Sequence, residues 1–327
     1  MTIREAYTEG MKTLLHKGIL EADLDAWYLM EHVTGISRAL YFSDSGRAMD
    51  ADREARYFDL IEKRGRRIPL QHLTGVQEFM GFPFLVNEHV LIPRQDTEIL
   101  VEEALAVLKA NRGTATLLDM CTGSGCILLS ILKLMHEECG YVIRRSEERP
   151  AEQADVFLPP DRGCEDSDRE AAADPSDRKA VNFIYGTGAD LSEKALETAG
   201  KNAENLGTEA VFYQSDLFEK IDGRFSVIVS NPPYIRTGEI ETLQEEVRVH
   251  DPRMALDGGA DGLDFYRRII RESPDHLLPK GSLLLEIGCG QAREVAGLMS
   301  KAGFQRISVK KDLAGLDRVV SGVYDDL

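Results

Sequence analysis

From residue 94 onward the chain alternates short apolar runs with amphipathic stretches, and this rhythm constrains the fold more than any single motif does. Apolar runs of strand length lie at 115–120, 181–189, 210–214, 225–230, 282–287 and 304–309. Helical periodicity occupies about 96–110, 126–136, 192–206, 261–272 and 290–302. Parallel strands cannot be joined by a tight turn and need a crossover, usually a helix. The alternation therefore predicts a mostly parallel sheet with helices on both faces, an α/β Rossmann-like domain spanning 94–327.

Two segments precede it. Over residues 1–74, Leu14, Leu15, Ile19, Leu24, Trp27, Leu29 and Met30 recur at near-helical spacing, punctuated by Gly18, Gly35 and Ser43–Gly46. This predicts a small helical N-terminal domain. Over 75–93, Phe79, Phe82, Phe84, Val86, Val90 and Ile92 partly alternate around Gly81 and Pro83, which predicts a β-hairpin linker. The basic run Lys63-Arg64-Gly65-Arg66-Arg67 reads most simply as a solvated helix end, and more sharply as a contact for an acidic partner or RNA. Residues about 137–179 break the rhythm. They hold 13 acidic and 7 basic residues and almost no apolar periodicity. Such a segment buries too little apolar surface to offset its ordering entropy, so a disordered insertion is expected.

Composition narrows the function. The net charge of -17 and the pI near 4.9 make a nucleic-acid backbone an unfavourable partner. The five cysteines form no CxxC pair, so neither a disulfide framework nor a zinc or other metal site is expected. The first residues lack a signal-peptide core, and no stretch approaches the roughly 20 apolar residues of a membrane span. A cytoplasmic, monomeric protein without membrane association is the expectation.

Three places carry chemistry. The first is Asp119-Met-Cys-Thr-Gly-Ser-Gly-Cys126, where a strand enters a turn that holds Gly123 and Gly125 and a helix begins. Glycines let a ligand approach the backbone, and the helix N-terminus offers free amides to an anion. Asp119 suits a ligand bearing a positive amino group better than a pyrophosphate. The second is Asp190, at the end of the next strand, placed to accept from ribose hydroxyls. It lies 65 residues beyond Gly125, against a usual spacing of about 20, and excising the insertion restores that spacing. The alternative for Asp190 is an N-cap of the helix from Ser192. Gly186-Thr187-Gly188, which precedes the acid instead of opening a helix, is assigned no cofactor role. The third is Asn231-Pro232-Pro233-Tyr234, at the C-terminal end of a buried strand, where open α/β sheets bind ligands. The prolines fix the backbone and remove two donors. Carbonyls, the Asn231 amide oxygen and the Tyr234 ring can then grip a planar NH2 group. The residues alone leave adenine, guanine and glutamine amides equally open.

The chain resembles the bacterial protein-glutamine N5-methyltransferases that modify peptide chain release factors, the HemK or PrmC family. The likeness rests on LTGVQEFMGFPF at 73–84, VLIPRQDTE at 90–98, DMCTGSGC at 119–126, QSDLF at 214–218, SNPPYI at 230–235, EVRVHDPRMALDGGADGLDFYRRI at 246–269, LLEIGCGQ at 284–291 and DLAGLDRVVSG at 312–322. It implies a class I methyltransferase domain behind a helical domain that helps dock the release factor. It also implies S-adenosylmethionine as cofactor and S-adenosylhomocysteine as product. The substrate it implies is the glutamine of the GGQ motif in class-1 peptide chain release factors. By this resemblance Asp119, Cys121, Thr122, Gly123, Ser124, Gly125, Asp190, Asp216, Leu217 and Asn231 line the cofactor site. Asn231, Pro232, Pro233 and Tyr234 bind the glutamine, with Asn231, Pro232 and Tyr234 catalytic. Gln95 replaces the family's usual proline, and Cys121 a common glycine. The competing reading is a nucleic-acid amino methyltransferase acting on adenine or guanine. The acidic balance and the block at 246–269 oppose it.

Overall fold

A computed structural model describes residues 1–111, 113–145 and 182–325. The N-terminal segment folds as five helices: α1 (Ile3–His16), α2 (Ala22–Thr34), α3 (Arg38–Asp44), α4 (Ala51–Gly65) and α5 (Leu70–Thr74). Their boundaries follow local chemistry. Thr2 and Glu5 form a reciprocal capping box on α1, Ser37 and Asp50 cap α3 and α4, and Gly35 ends α2 in the left-handed conformation. The helices share a core of their own that includes Leu14, Trp27, Met30, Tyr57 and Ile61.

The hairpin β1 (Val76–Phe79) and β2 (Phe82–Leu85) follows. It is less a linker than a part of the larger core, because Phe79 and Phe84 are buried with the helices that cover the sheet. Val86 keeps one backbone bond, its amide donating to the Gly75 carbonyl at 3.0 Å, and residues 87–93 run on as an irregular segment. A 3-10 turn at Gln95–Thr97 then opens α6 (Glu98–Ala110).

The sheet is built from β3 (Ala115–Met120), β4 (Val142–Arg145), β5 (Phe183–Asp190), β6 (Val211–Gln214), β7 (Phe225–Ser230), β8 (Leu277–Glu286), β9 (Phe304–Lys311) and β10 (Asp317–Tyr324). Along it, β5, β3, β7 and β8 lie side by side and parallel, then β10 and β9 complete the far edge. Only β10 runs antiparallel, to β8 and to β9. At the near edge β4 pairs with the first half of β5 and β6 with the second. The helices are α7 (Cys126–Cys139), α8 (Glu193–Leu206), α9 (Glu245–His250), α10 (Asp264–Glu272) and α11 (Ala292–Lys301). Successive strand residues point to opposite faces. Leu117, Val227, Val229 and Leu284 pack with α6 and α7, while Leu118, Ile228, Leu283 and Leu285 pack with α10 and α11. This is the Rossmann-like class I architecture expected.

The segment expected as an insertion begins with order: α7 continues to Cys139, and β4 adds an edge strand at Val142–Arg145. The rest of it, residues 146–179, lies outside the described residues. The glycines at 186 and 188 have a packing reason. A Cβ there would lie 2.5 Å from Leu132 Cδ1 and 2.7 Å from Phe212 Cδ1 respectively.

The basic run is a solvated helix end only in part: Lys63 and Arg66 are exposed, but Arg64 and Arg67 turn inward. Arg64 is buried and bonds Asp25 at 2.6 Å and Glu246 at 3.2 Å, and Arg67 reaches Glu246 at 3.3 Å. Two of its cations thereby join the helical domain to α9. Arg66 and Lys63 pair with Glu62 and Asp59 on the same helix.

Candidate active site

The C-terminal ends of β3, β5 and β7 meet at one cavity of about 370 Å³, a size within the range of small-molecule sites. The turn after β3 forms one wall. Cys121, Gly123 and Gly125 all have left-handed backbones, with φ of 62°, 56° and 78°. For Cys121 that conformation costs on the order of 1–3 kcal/mol, which a glycine would be spared. Asp190 ties the turn to β5: Oδ2 accepts from the Gly123 amide and Oδ1 from the Ser192 amide, both at 2.9 Å. Ser192, not Asp190, caps α8 by accepting from the Ala195 amide. A carboxylate has about four lone-pair sites, so Asp190 retains capacity for a ligand hydroxyl. Burial raises the Asp190 pKa, and the backbone amides of Ser192, Gly123 and Leu191 oppose the rise.

Asn231 and Pro233 form the facing wall. Asn231 Nδ2 donates to Thr97 Oγ1 at 3.3 Å. The loop is held from behind by residues whose role the sequence reading did not identify. Gln291 Nε2 donates to the Tyr234 and Gly262 carbonyls, each at 3.1 Å. Close packing explains the glycines of the 246–269 block. A Cβ on Gly262 would come within 2.4 Å of the Tyr234 carbonyl, and one on Gly258 within 2.8 Å of the Pro233 carbonyl. Met254 and Phe265, from the same block, line the cavity, as do His89, Val90 and Leu91 from the segment after the hairpin.

The expected residues divide. Cys121, Thr122, Gly123, Ser124, Asp190, Asn231 and Pro233 line the common cavity; Asp119, Gly125, Asp216, Leu217, Pro232 and Tyr234 do not border it. Asp119 is sealed beneath the turn. Its Oδ2 accepts from the Thr122 hydroxyl at 2.6 Å, its Oδ1 has no partner, and burial pushes its pKa up to about 7. Asp216 pairs with Arg268 at 2.9 Å. Leu217 is buried with φ of 52°. Pro232 is buried, and Tyr234 packs beside the core under the loop, where burial raises its phenol to about 12. Arg94 lines the cavity and bonds Asp251 at 2.7 Å, and burial still holds the Asp251 carboxyl up at about 6.

The site fits S-adenosylmethionine. A glycine turn with left-handed backbone, a strand-end acid with free lone pairs, and an amide across the cavity suit a ligand bearing a carboxylate, ribose hydroxyls and a transferable methyl group. Among the described residues no group of three or more His, Cys, Asp or Glu is placed to hold a metal.

Comparison with known proteins bears on the same features. The family model of the PrmC N-terminal domain matches residues 5–75, and that of the methyltransferase small domain matches residues 179–259. The chain is 36% identical to the release factor glutamine methyltransferase of Geobacter sulfurreducens, over 98% of this chain and 96% of that protein. It is 35% identical to the protein of the same name from Agrobacterium fabrum, covering 98% and 96%. The one from Deinococcus radiodurans is 33% identical over 98% of each chain. This chain belongs to the release factor glutamine methyltransferase family.

Proposed function

We infer that this chain transfers a methyl group from S-adenosylmethionine to the side-chain amide nitrogen of a glutamine in peptide chain release factors, giving N5-methylglutamine. The target is the glutamine of the GGQ motif in class-1 factors. The observation that carries the reading is the Asn231 amide, committed through Nδ2 to Thr97 and so offering Oδ1 to the cavity it shares with the glycine turn and Asp190.

S-adenosylmethionine would supply an electrophilic methyl group on its sulfonium, with S-adenosylhomocysteine as product. Asp190 would hold its ribose hydroxyls and the turn 121–125 its amino-acid end. An amide nitrogen is a poor nucleophile because its lone pair is delocalised. The Asn231 Oδ1 at the cavity wall accepts one amide hydrogen, favours a pyramidal nitrogen and aims its lone pair into the cavity. Catalysis is then positioning and electrostatics. The nitrogen becomes strongly acidic on methylation, so its surplus proton departs without a dedicated base.

The state of the basic run supports a protein substrate over a nucleic acid. Its four cations are bonded to Asp25, Glu246, Glu62 and Asp59, which leaves less charge for phosphates. Release factors act in the cytoplasm, and we place this reaction there, carried out by a monomer. Among the described residues no helix is long and apolar enough to cross a membrane. Incubation with labelled S-adenosylmethionine and purified release factor, beside DNA and ribosomal RNA, tests the reading. Label should enter the release factor; label on nucleic acid alone overturns it.

A further inference from the structure

A buried acid lies under the substrate loop, and the mechanism above does not use it. Glu286 ends β8, is 2% exposed, and its Oε2 has no hydrogen-bond partner. The Thr97 and Asn231 side chains lie beside its carboxyl and both hold its pKa down, and Asn231 Nδ2 donates to Thr97 Oγ1 at 3.3 Å. A carboxylate can only accept hydrogen bonds. It therefore takes the Thr97 hydroxyl hydrogen and leaves the Thr97 oxygen as an acceptor. Only the NH2 end of Asn231 satisfies both acceptors, so the amide oxygen must face away from them.

We propose that Glu286 is a positioning residue whose carboxylate, directly and through Thr97, locks the Asn231 amide with Oδ1 toward the substrate nitrogen. The proposal rests on the reading of Asn231 as an acceptor. A protonated Glu286 would reverse the chain. Its O–H would donate to Thr97, Thr97 could donate to Asn231, and the flipped amide would meet the substrate NH2 donor to donor.

The surroundings leave that switch within reach of neutral pH. Burial raises the Glu286 pKa to about 7, Asp96 in the turn before α6 raises it further, and Arg318 on β10 opposes. Arg318 is shared between Asp312 at 2.9 Å and Asp96 at 3.0 Å, so it does not neutralise Glu286. The remaining ionisable neighbours are Tyr234 on the loop, the Cys126 thiol at the start of α7, whose pKa Glu286 raises, and Tyr266 on α10, whose hydroxyl donates to the Glu286 backbone carbonyl at 2.8 Å.

The test compares the full chain with Glu286→Gln, Thr97→Val, Thr97→Ser and Asn231→Ala, methylating release factor across pH 6 to 9. Cofactor affinity is measured separately. Wild-type kcat should rise through neutral pH. Glu286→Gln should flatten that rise, and both Glu286→Gln and Thr97→Val should lower kcat by about tenfold or more with cofactor affinity unchanged. Thr97→Ser, which keeps the hydroxyl, should restore turnover relative to Thr97→Val. Wild-type kcat and pH profile in Glu286→Gln and Thr97→Val, with Asn231→Ala inactive, would overturn the positioning role and leave the proposed function standing. An active Asn231→Ala overturns both.

Discussion

At the residue scale, the two strands that flank β7 each carry a carboxyl sealed from water, Asp119 on β3 and Glu286 on β8. Burial pushes both up to about 7. A raised acid binds its proton more tightly in the folded state. Its contribution to stability is therefore full below the unfolded pKa near 4 and is lost as pH rises through about 7. For Glu286 the loss is on the order of 3 kcal/mol. Thermal unfolding should show a melting temperature that falls from pH 5 to pH 8; a level or rising one contradicts these assignments. Glu286→Gln should melt higher than wild type at pH 8, because it removes a charge buried without a neutralising partner, while turning over more slowly. Gly262→Ala sets a Cβ against the Tyr234 carbonyl at φ of 75°. It should cost on the order of 1–3 kcal/mol and lower turnover more than cofactor affinity, as calorimetry and kinetics can read. Asn231 was legible in the sequence because two prolines after a buried strand leave few conformations. The environment of Asp119 was not, because whether a strand-end acid faces the cavity or the turn depends on Thr122, which closes over it at 2.6 Å.

At the scale of elements, α4 and α9 are joined where Arg64 and Arg67 meet Glu246. Glu246→Ala leaves Arg64 bonded to Asp25, so the helical domain should keep its fold and lose its tether. The partly exposed pair is worth about 1 kcal/mol. The expected outcome is a several-fold higher KM for release factor, with KM for S-adenosylmethionine unchanged, in steady-state kinetics. The parallel strands were legible because both faces are covered and their apolar runs are continuous. The antiparallel β10 and the edge strand β4 were not read as strands. In Asp317–Tyr324 the apolar residues are broken by Ser321 and Gly322, and β4 is four residues long with two exposed arginines. The solvated half of the basic run was legible, but the burial of Arg64 was not, because sequence spacing does not reveal that Asp25 and Glu246, 39 and 182 residues away, close upon it.

At the scale of the molecule, an acidic chain of net charge -17 brings a glycine turn, a strand-end acid and the loop 231–234 to one end of a mostly parallel sheet. It carries a helical domain beside them. That arrangement suits a protein substrate delivered as an extended loop better than a duplex bound along its phosphates. The central claim is the atom that receives the methyl group. Release factor incubated with the enzyme and S-adenosylmethionine, then digested and sequenced by mass spectrometry, should carry one added methyl group on the side-chain nitrogen of the GGQ glutamine, absent when Asn231→Ala replaces the wild type. A methyl group found on another residue, or on that glutamine to the same extent with Asn231→Ala, would contradict the account.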